Sequence, residues 1–309
     1  MRRLIQSCLL LLGITLITFV ISHLAPGGPT TLLEDPNILP EYVEQVRRDY
    51  GLDQPIPIQY IKWVGNLARL NFGRSFEDNR PVLDKIVERV PATLQLSVAS
   101  FLLGLLGIPL GIQAALHRGR FIDNAVRVFT VVGQAVPHWW LGLMIIVFTA
   151  SYGIFPLGGI ASPDAAHPWL DRLHHLALPA VIAAMSGWIV FSRYMRSEML
   201  EVLQQDYVRT ARAKGLREGH VIVRHAVRNA LLPIITIFGN SLGHFFSGAV
   251  LFETVFSWPG MGRLAVQAAF RRDYPTVMAL TVIFAALVIV GNLLADIAYG
   301  YADPRVRYE

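Results

Sequence analysis

Six apolar runs, at residues 4–24, 94–116, 125–152, 176–191, 231–252 and 277–299, constrain this chain more than anything else in it. A helix needs about 20 apolar residues to cross the hydrocarbon core, at about 1.5 Å of rise each. Five of the runs meet that length; the fourth is shorter and contains Pro179. Only 16% of the 309 residues are charged and 53% are hydrophobic. An ordinary soluble domain carries about 25% charged residues. The expectation is an all-α polytopic membrane protein with six transmembrane helices.

Arg and Lys positions set the orientation. Arg2 and Arg3 precede the first run, Arg118 and Arg120 lie between the second and third, and Arg305 and Arg307 lie in the tail. Eight basic residues fall between Arg193 and Arg228, in the connection between the fourth and fifth runs. With six spans all of these lie on one side, and short loops rich in Lys and Arg face the cytoplasm. The opposite loop at 153–175 carries only Arg172; the last outer loop, with Arg263, Arg271 and Arg272, weakens the bias without reversing it. Both termini are therefore expected in the cytoplasm. The division is an N-terminal transmembrane helix at 1–24, an extracytoplasmic segment at 25–93, a transmembrane core at 94–300 and a cytoplasmic tail at 301–309. Met1-Arg2-Arg3 before an apolar run resembles a secretory signal. The run exceeds the usual h-region of roughly 7–15 residues and no A-x-A site follows, so it reads as an uncleaved helix. Within 25–93, amphipathic stretches at 40–50 and 58–70 suit the membrane interface or a small cap.

The net charge of +5 does not point to nucleic acid, because the basic residues sit beside apolar spans and no aromatic-basic RNA-binding motif occurs. No nucleotide-binding loop, H-E-x-x-H, C-x-x-C or G-x-S-x-G is present, so no catalytic residue and no cofactor bound by this chain is expected. Cys8 stands alone in an apolar run. His167, His174 and His175 share one outer loop, but no carboxylate or thiol completes a ligand set at helical spacing, so no metal site is expected. Polar residues inside spans are candidates for a passage. Gln134 lies in the third run beside Pro137, which permits a kink. Asn240, Ser241 and His244 lie in the fifth, with 240 and 244 on one helical face. Two readings stay open for the last three: a polar stripe lining a pore, or hydrogen bonding within a packing face rich in glycine.

The polar stretch from Asp206 to Pro233 is the functional candidate. Residues 206–214 are helix-forming, Gly215 breaks the pattern, and a second helical stretch runs over 218–230 before Pro233. A helix–Gly–helix on the cytoplasmic face is a docking surface for a soluble partner.

This stretch, DYVRTARAKGL followed by HAVRNALLP, resembles the coupling loop of binding-protein-dependent ABC importer permeases in the branch carrying dipeptides, oligopeptides, glutathione or nickel. Arg209, Thr210 and Ala211 stand where the general pattern has Glu-Ala-Ala, followed by Gly215 and then Leu232-Pro233. Further matching stretches are LAPGGP at 24–29, YGLDQPIPIQY at 50–60, FGRSF at 72–76, VPATLQLS at 90–97, ETVFSWPGMGR at 253–263, RRDYP at 271–275 and DPRVR at 303–307. The similarity is strongest to the first of the two permeases in such systems. It implies a type I importer permease fold with a cytoplasmic coupling helix in the bacterial inner membrane. It implies as partners a second homologous permease, two ATPases that bind ATP and Mg, an extracytoplasmic substrate-binding protein and membrane lipid. The coupling loop at 193–230 would seat Arg209, Thr210, Ala211, Arg212, Ala213, Lys214, Gly215 and Leu216 in an ATPase groove. Ala211 and Ala213 would allow close approach, and Arg209, Arg212 and Lys214 would pair with acidic groups at the rim. Trp258 and Phe256 of ETVFSWPGMGR suit a membrane interface. The competing readings are an ion-gradient-driven secondary transporter and a non-conducting membrane scaffold.

Overall fold

The structure, a computed structural model, describes residues 2–24, 41, 53–231, 233–234 and 249–302. Among these the regular elements are all helical, with one isolated antiparallel bridge between Arg74 and Pro81. The helices are α1 (Arg2–Leu24), α2 (Ile56–Ala68), α3 (Val82–Gly104), α4 (Gly107–Leu116), α5 (Phe121–Ala135), α6 (His138–Ala150) and α7 (Pro168–Val202). They continue as α8 (Asp206–Ala213), α9 (Glu218–His220) running into a π-helical stretch (Val221–Val227), α10 (Ala249–Val255), α11 (Met261–Phe270) and α12 (Tyr274–Ala302). The chain splits into two compact units, Met1–Pro91 with Gly260–Ile289, and Ala92–Pro259 with Val290–Glu309.

Among the described residues, four helical stretches are long and apolar enough to cross a membrane: Ile5–Leu24, Val82–Leu116 (α3 with α4), Pro168–Val202 and Tyr274–Leu294. The third apolar run is not one continuous helix. It forms α5 and α6, which meet at 92°. Val136, the residue before proline, is held extended (φ −105, ψ 125), and Pro137 then caps α6. Steric exclusion of the α region before proline makes this a break rather than a mild kink. The fifth run, 231–252, lies mostly outside the described residues. So does the amphipathic stretch at 40–50, apart from Glu41.

In the first unit, α3 starts at Val82, well before the apolar run that announced it at Leu94. Its first turns are amphipathic: Val82 and Ile86 are buried with Met261, Leu264, Ala279 and Leu280, while Leu83 and Val87 are exposed. Charged residues on the outward face hide this part of the helix from a hydropathy reading. The 58–70 stretch forms α2, with Pro57 in its first turn, where a missing N–H costs nothing. α2 packs its aromatic face on α1. Tyr60 and Trp63 sit 5.4 and 5.8 Å from the Phe19 ring, and His23 and Gln59 join at 3.1 Å.

In the second unit α7 is a single helix of 35 residues. It extends the short fourth run at both ends, and Pro179 does not interrupt it. Its partners approach closely through glycine. A Cβ on Gly107 would lie 2.9 Å from the Trp188 Cα, and one on Gly111 would lie 2.5 Å from the Ser192 carbonyl oxygen. Any side chain there would force the backbones apart, the small-residue packing that membrane helices favour. Met195 and Met199 of α7 fill a core with Phe191, Ala226, Ala230 and Ile234.

Candidate coupling surface

The helix–Gly–helix forms as its turn chemistry dictates. α8 runs for 8 residues, and Thr210 Oγ1 donates back to the Asp206 carbonyl at 2.9 Å. Lys214 caps its end, and the Gly215 N–H donates to the Arg212 carbonyl at 2.9 Å. Gly215 has φ +74, in the left-handed region that ends helices and that side chains resist. No neighbour lies within 4 Å of where its Cβ would be, so glycine is required here by the backbone and not by packing.

Two faces result. Val208 and Ala211 are buried against Val221, with Val202 packed beside them. Arg209, Thr210, Arg212, Ala213, Lys214, Gly215 and Leu216 are exposed. Ala211 therefore faces inward. Its small size lets α8 lie close on the second leg of its own chain, and it is not presented outward. Arg212 is exposed but already holds a partner within its own loop. Its Nε donates to both carboxylate oxygens of Glu218, at 3.2 and 3.1 Å, and its Nη2 to Oε1 at 2.7 Å. This fork closes the Gly215 turn like a clasp and holds the Glu218 carboxyl below its ordinary pKa. Arg209 only grazes Asp206 at 3.5 Å. The second leg continues through the π-helical stretch, which buries Val221 and Ala226. Ala226 packs with Met195 and Met199, so the elbow rests on the end of α7. A one-turn π-bulge is rare and recurs at functional sites.

Of the passage candidates, Gln134 is exposed in the last turn of α5, just before the break. Asn240, Ser241 and His244 lie outside the described residues. A polar pair that the sequence reading missed sits at the same break: the His138 imidazole Nδ1 and the Ser186 hydroxyl meet at 3.0 Å between α6 and α7. Two polar residues in apolar spans were the available signal. Of the outer-loop histidines, His174 bonds the Ile154 carbonyl at 2.8 Å and His175 the Asp171 carbonyl at 2.9 Å.

Three buried polar centres were also missed. Within the first unit, Asp273 of RRDYP receives Ser75 Oγ and Thr276 Oγ1, each at 2.6 Å, and the Phe76 N–H at 2.9 Å. Lys85 donates to Ser75 Oγ at 2.8 Å and lies 3.6 Å from Asp273 and 3.1 Å from Asp78. Burial raises the Asp78 pKa, but the Arg80 N–H and the Lys85 ammonium outweigh it and leave a net lowering. Within the second unit, Thr93 donates to the buried Glu253 at 2.7 Å. Arg196 grips Asp123 with two hydrogen bonds, at 2.5 and 3.0 Å. Trp258 is a correction: it is fully buried beside Ala92, Leu96 and Ala180, and its indole N–H donates to the Ala92 carbonyl at 2.7 Å. Phe256 is buried too, so neither is an interface aromatic.

A family model described as the binding-protein-dependent transport system inner membrane component matches residues 107–308, and the model of its N-terminal part matches 1–97. The chain belongs to that family. The oligopeptide transport system permease protein AppB of Bacillus subtilis is 46% identical over 99% of this permease and 98% of its own length. The di/tripeptide transport system permease protein DppB of Pseudomonas aeruginosa is 40% identical over 96% and 95%. The probable D,D-dipeptide transport system permease protein DdpB of Escherichia coli is 39% identical over 96% and 94%. Among solved structures, the MetNI methionine ABC transporter in an inward-facing conformation aligns at TM-score 0.52 and 19% identity, over 71% of this permease and 98% of that chain. An amino acid ABC transporter aligns at TM-score 0.53 and 13% identity, over 71% and 94%. At such identities the likeness shows the fold. The permease is thus an all-α, multi-pass inner-membrane subunit of an ABC importer and a transport component, and that family works with ATPase and solute-binding partners.

Proposed function

We propose that this permease moves small peptides inward as one half of a paired channel, and that the exposed face of α8 receives the force. A second homologous permease completes the channel. Two ATPases holding ATP and Mg bind from the cytoplasm, and an extracytoplasmic binding protein delivers the solute. The peptide cargo is supported by relatives named for oligopeptides and dipeptides at 39–46% identity over nearly the full chain. Six spans with both termini and the elbow in the cytoplasm satisfy the distribution of Arg and Lys.

One observation carries the coupling role: a short basic helix is exposed on one side and buried on the other against its own second leg. Arg209, Thr210, Arg212, Ala213, Lys214, Gly215 and Leu216 line the outward side. Ala211 supports it from within. A surface braced by the Val208–Val221 contact and the Arg212–Glu218 fork moves as one body when pushed. Closure of the ATPases then displaces the elbow together with the end of α7.

Reconstitution in vesicles with the two ATPases, the second permease and the binding protein tests this. ATP hydrolysis stimulated by peptide-loaded binding protein, with uptake that stops without ATP, is expected. Uptake driven by an imposed ion gradient alone would favour a secondary carrier. Neither hydrolysis nor uptake would favour a scaffold.

A further inference from the structure

We infer that the Arg196–Asp123 pair links the elbow to the broken span, so that these two residues position α5 in response to motion of α7. The inference rests on the coupling role proposed for α8.

The geometry supports a link rather than an incidental contact. Arg196 lies near the end of α7, the continuous helix that stops at Val202, only a few residues before α8 begins at Asp206. Its Nε donates to Asp123 Oδ1 at 2.5 Å and its Nη2 to Oδ2 at 3.0 Å. This two-pronged geometry fixes orientation as well as distance. The Asp123 side chain is 1% exposed and that of Arg196 23%. Asp123 sits in the first turn of α5, and its Oδ2 also accepts the Gly119 N–H at 2.9 Å. One carboxylate therefore binds together the end of α7, the turn before α5 and the start of α5.

α7 is already joined to its neighbours over the two turns that lead up to Arg196. Gly111 of α4 abuts Ser192 and Met195, and Gly133 of α5 abuts Ile189. Those contacts resist approach but not separation. Arg196–Asp123 is the member of this row that resists separation, because parting it leaves a buried charge alone. A pull on α7 from the elbow therefore drags the start of α5. The compliant point is the 92° break between α5 and α6, where His138 and Ser186 meet. The pair thus carries an inner-face displacement to the place where the broken span bends.

The test uses the complete transporter in vesicles, with uptake and ATP hydrolysis measured on the same samples. Asp123→Asn keeps the side-chain shape and removes the charge. Arg196→Lys keeps the charge and removes the fork. Peptide taken up per ATP is expected to fall roughly 2- to 30-fold in each, the range by which substitutions along a coupling element alter coupling, with hydrolysis retained. The reversed pair, Asp123→Arg with Arg196→Asp, is expected to recover part of the loss. Unchanged uptake per ATP in both single variants overturns the link. So does a parallel fall of uptake and hydrolysis that tracks the amount of assembled complex, since that is what a purely structural pair would give. Gly215→Pro is measured alongside. Full uptake there overturns the elbow reading itself, whereas a dead Gly215→Pro with a normal ratio in Asp123→Asn overturns only the link.

Discussion

Ser75 donates its hydroxyl to Asp273 at 2.6 Å across 198 residues of chain, with both groups buried. The carboxylate also serves Thr276 and the Phe76 backbone, and Lys85 neutralises it from the side. Removing Asp273 leaves a buried ammonium with weakened compensation. Asp273→Ala is expected to cost roughly 3–5 kcal/mol, the usual result of breaking one side of a buried pair. Thermal unfolding in detergent checks this. Adding Lys85→Ala should cost less than the sum of the two single changes, because the groups share one network.

Trp258 tests burial against hydrogen bonding. Trp258→Phe keeps most of the apolar volume but removes the indole N–H bond to the Ala92 carbonyl, which keeps its own helical partner, for an expected loss of about 0.5–1.5 kcal/mol. Trp258→Ala also opens a cavity and should cost about 3–5 kcal/mol. Equal melting temperatures for the parent and both variants would refute the packing described.

Gly215 is held left-handed in open space, so the backbone and not crowding sets its tolerance. Gly215→Asn should retain most uptake, because Asn enters that region several-fold more readily than other residues. Gly215→Pro, whose ring fixes φ near −65°, should abolish uptake while leaving insertion intact. Transport assays with a membrane-fraction control distinguish the two.

Ala211→Phe should disrupt the elbow from inside, since Ala211 is buried against Val208 and Val221. Overpacking of this kind costs typically 1–3 kcal/mol. Protease sensitivity of residues 206–220 is expected to rise before any change in the long helices.

The Arg212–Glu218 fork has a defined pH dependence. The folded-state pKa of Glu218 lies below its ordinary value of 4.5. The fork therefore contributes in full above that value and is lost as pH falls through the lower folded value. Hydrogen exchange in residues 212–218 should speed up in that acidic window and be insensitive to it in Glu218→Gln. The effect is small, as both side chains are exposed.

Local chemistry made much of this protein legible. Turn formation at Gly215 and the amphipathic pattern of α2 depend on near neighbours, and both appear where expected. The start of α3 was not legible, because Asp84, Lys85 and Glu88 interrupt the hydropathy that marks a span. The inward placement of Ala211 and the Arg212–Glu218 contact were not legible for a related reason. Helical spacing shows that residues share a face but not whether that face turns toward another chain or toward the second leg of its own loop.

By itself the sequence determined that the chain is helical, lies in a membrane, carries a basic elbow and belongs with importer permeases. Those properties follow from run length, from charge placement and from short ordered motifs. Only the tertiary structure decided that FGRSF and RRDYP meet at Asp273, that Arg196 holds Asp123, and that Trp258 is buried. It also turned the kink at Pro137 into a right-angled break. The physical reason is that a hydrogen bond or ion pair is fixed by proximity in space, and one chain read alone contains no measure of which distant residues will be brought together.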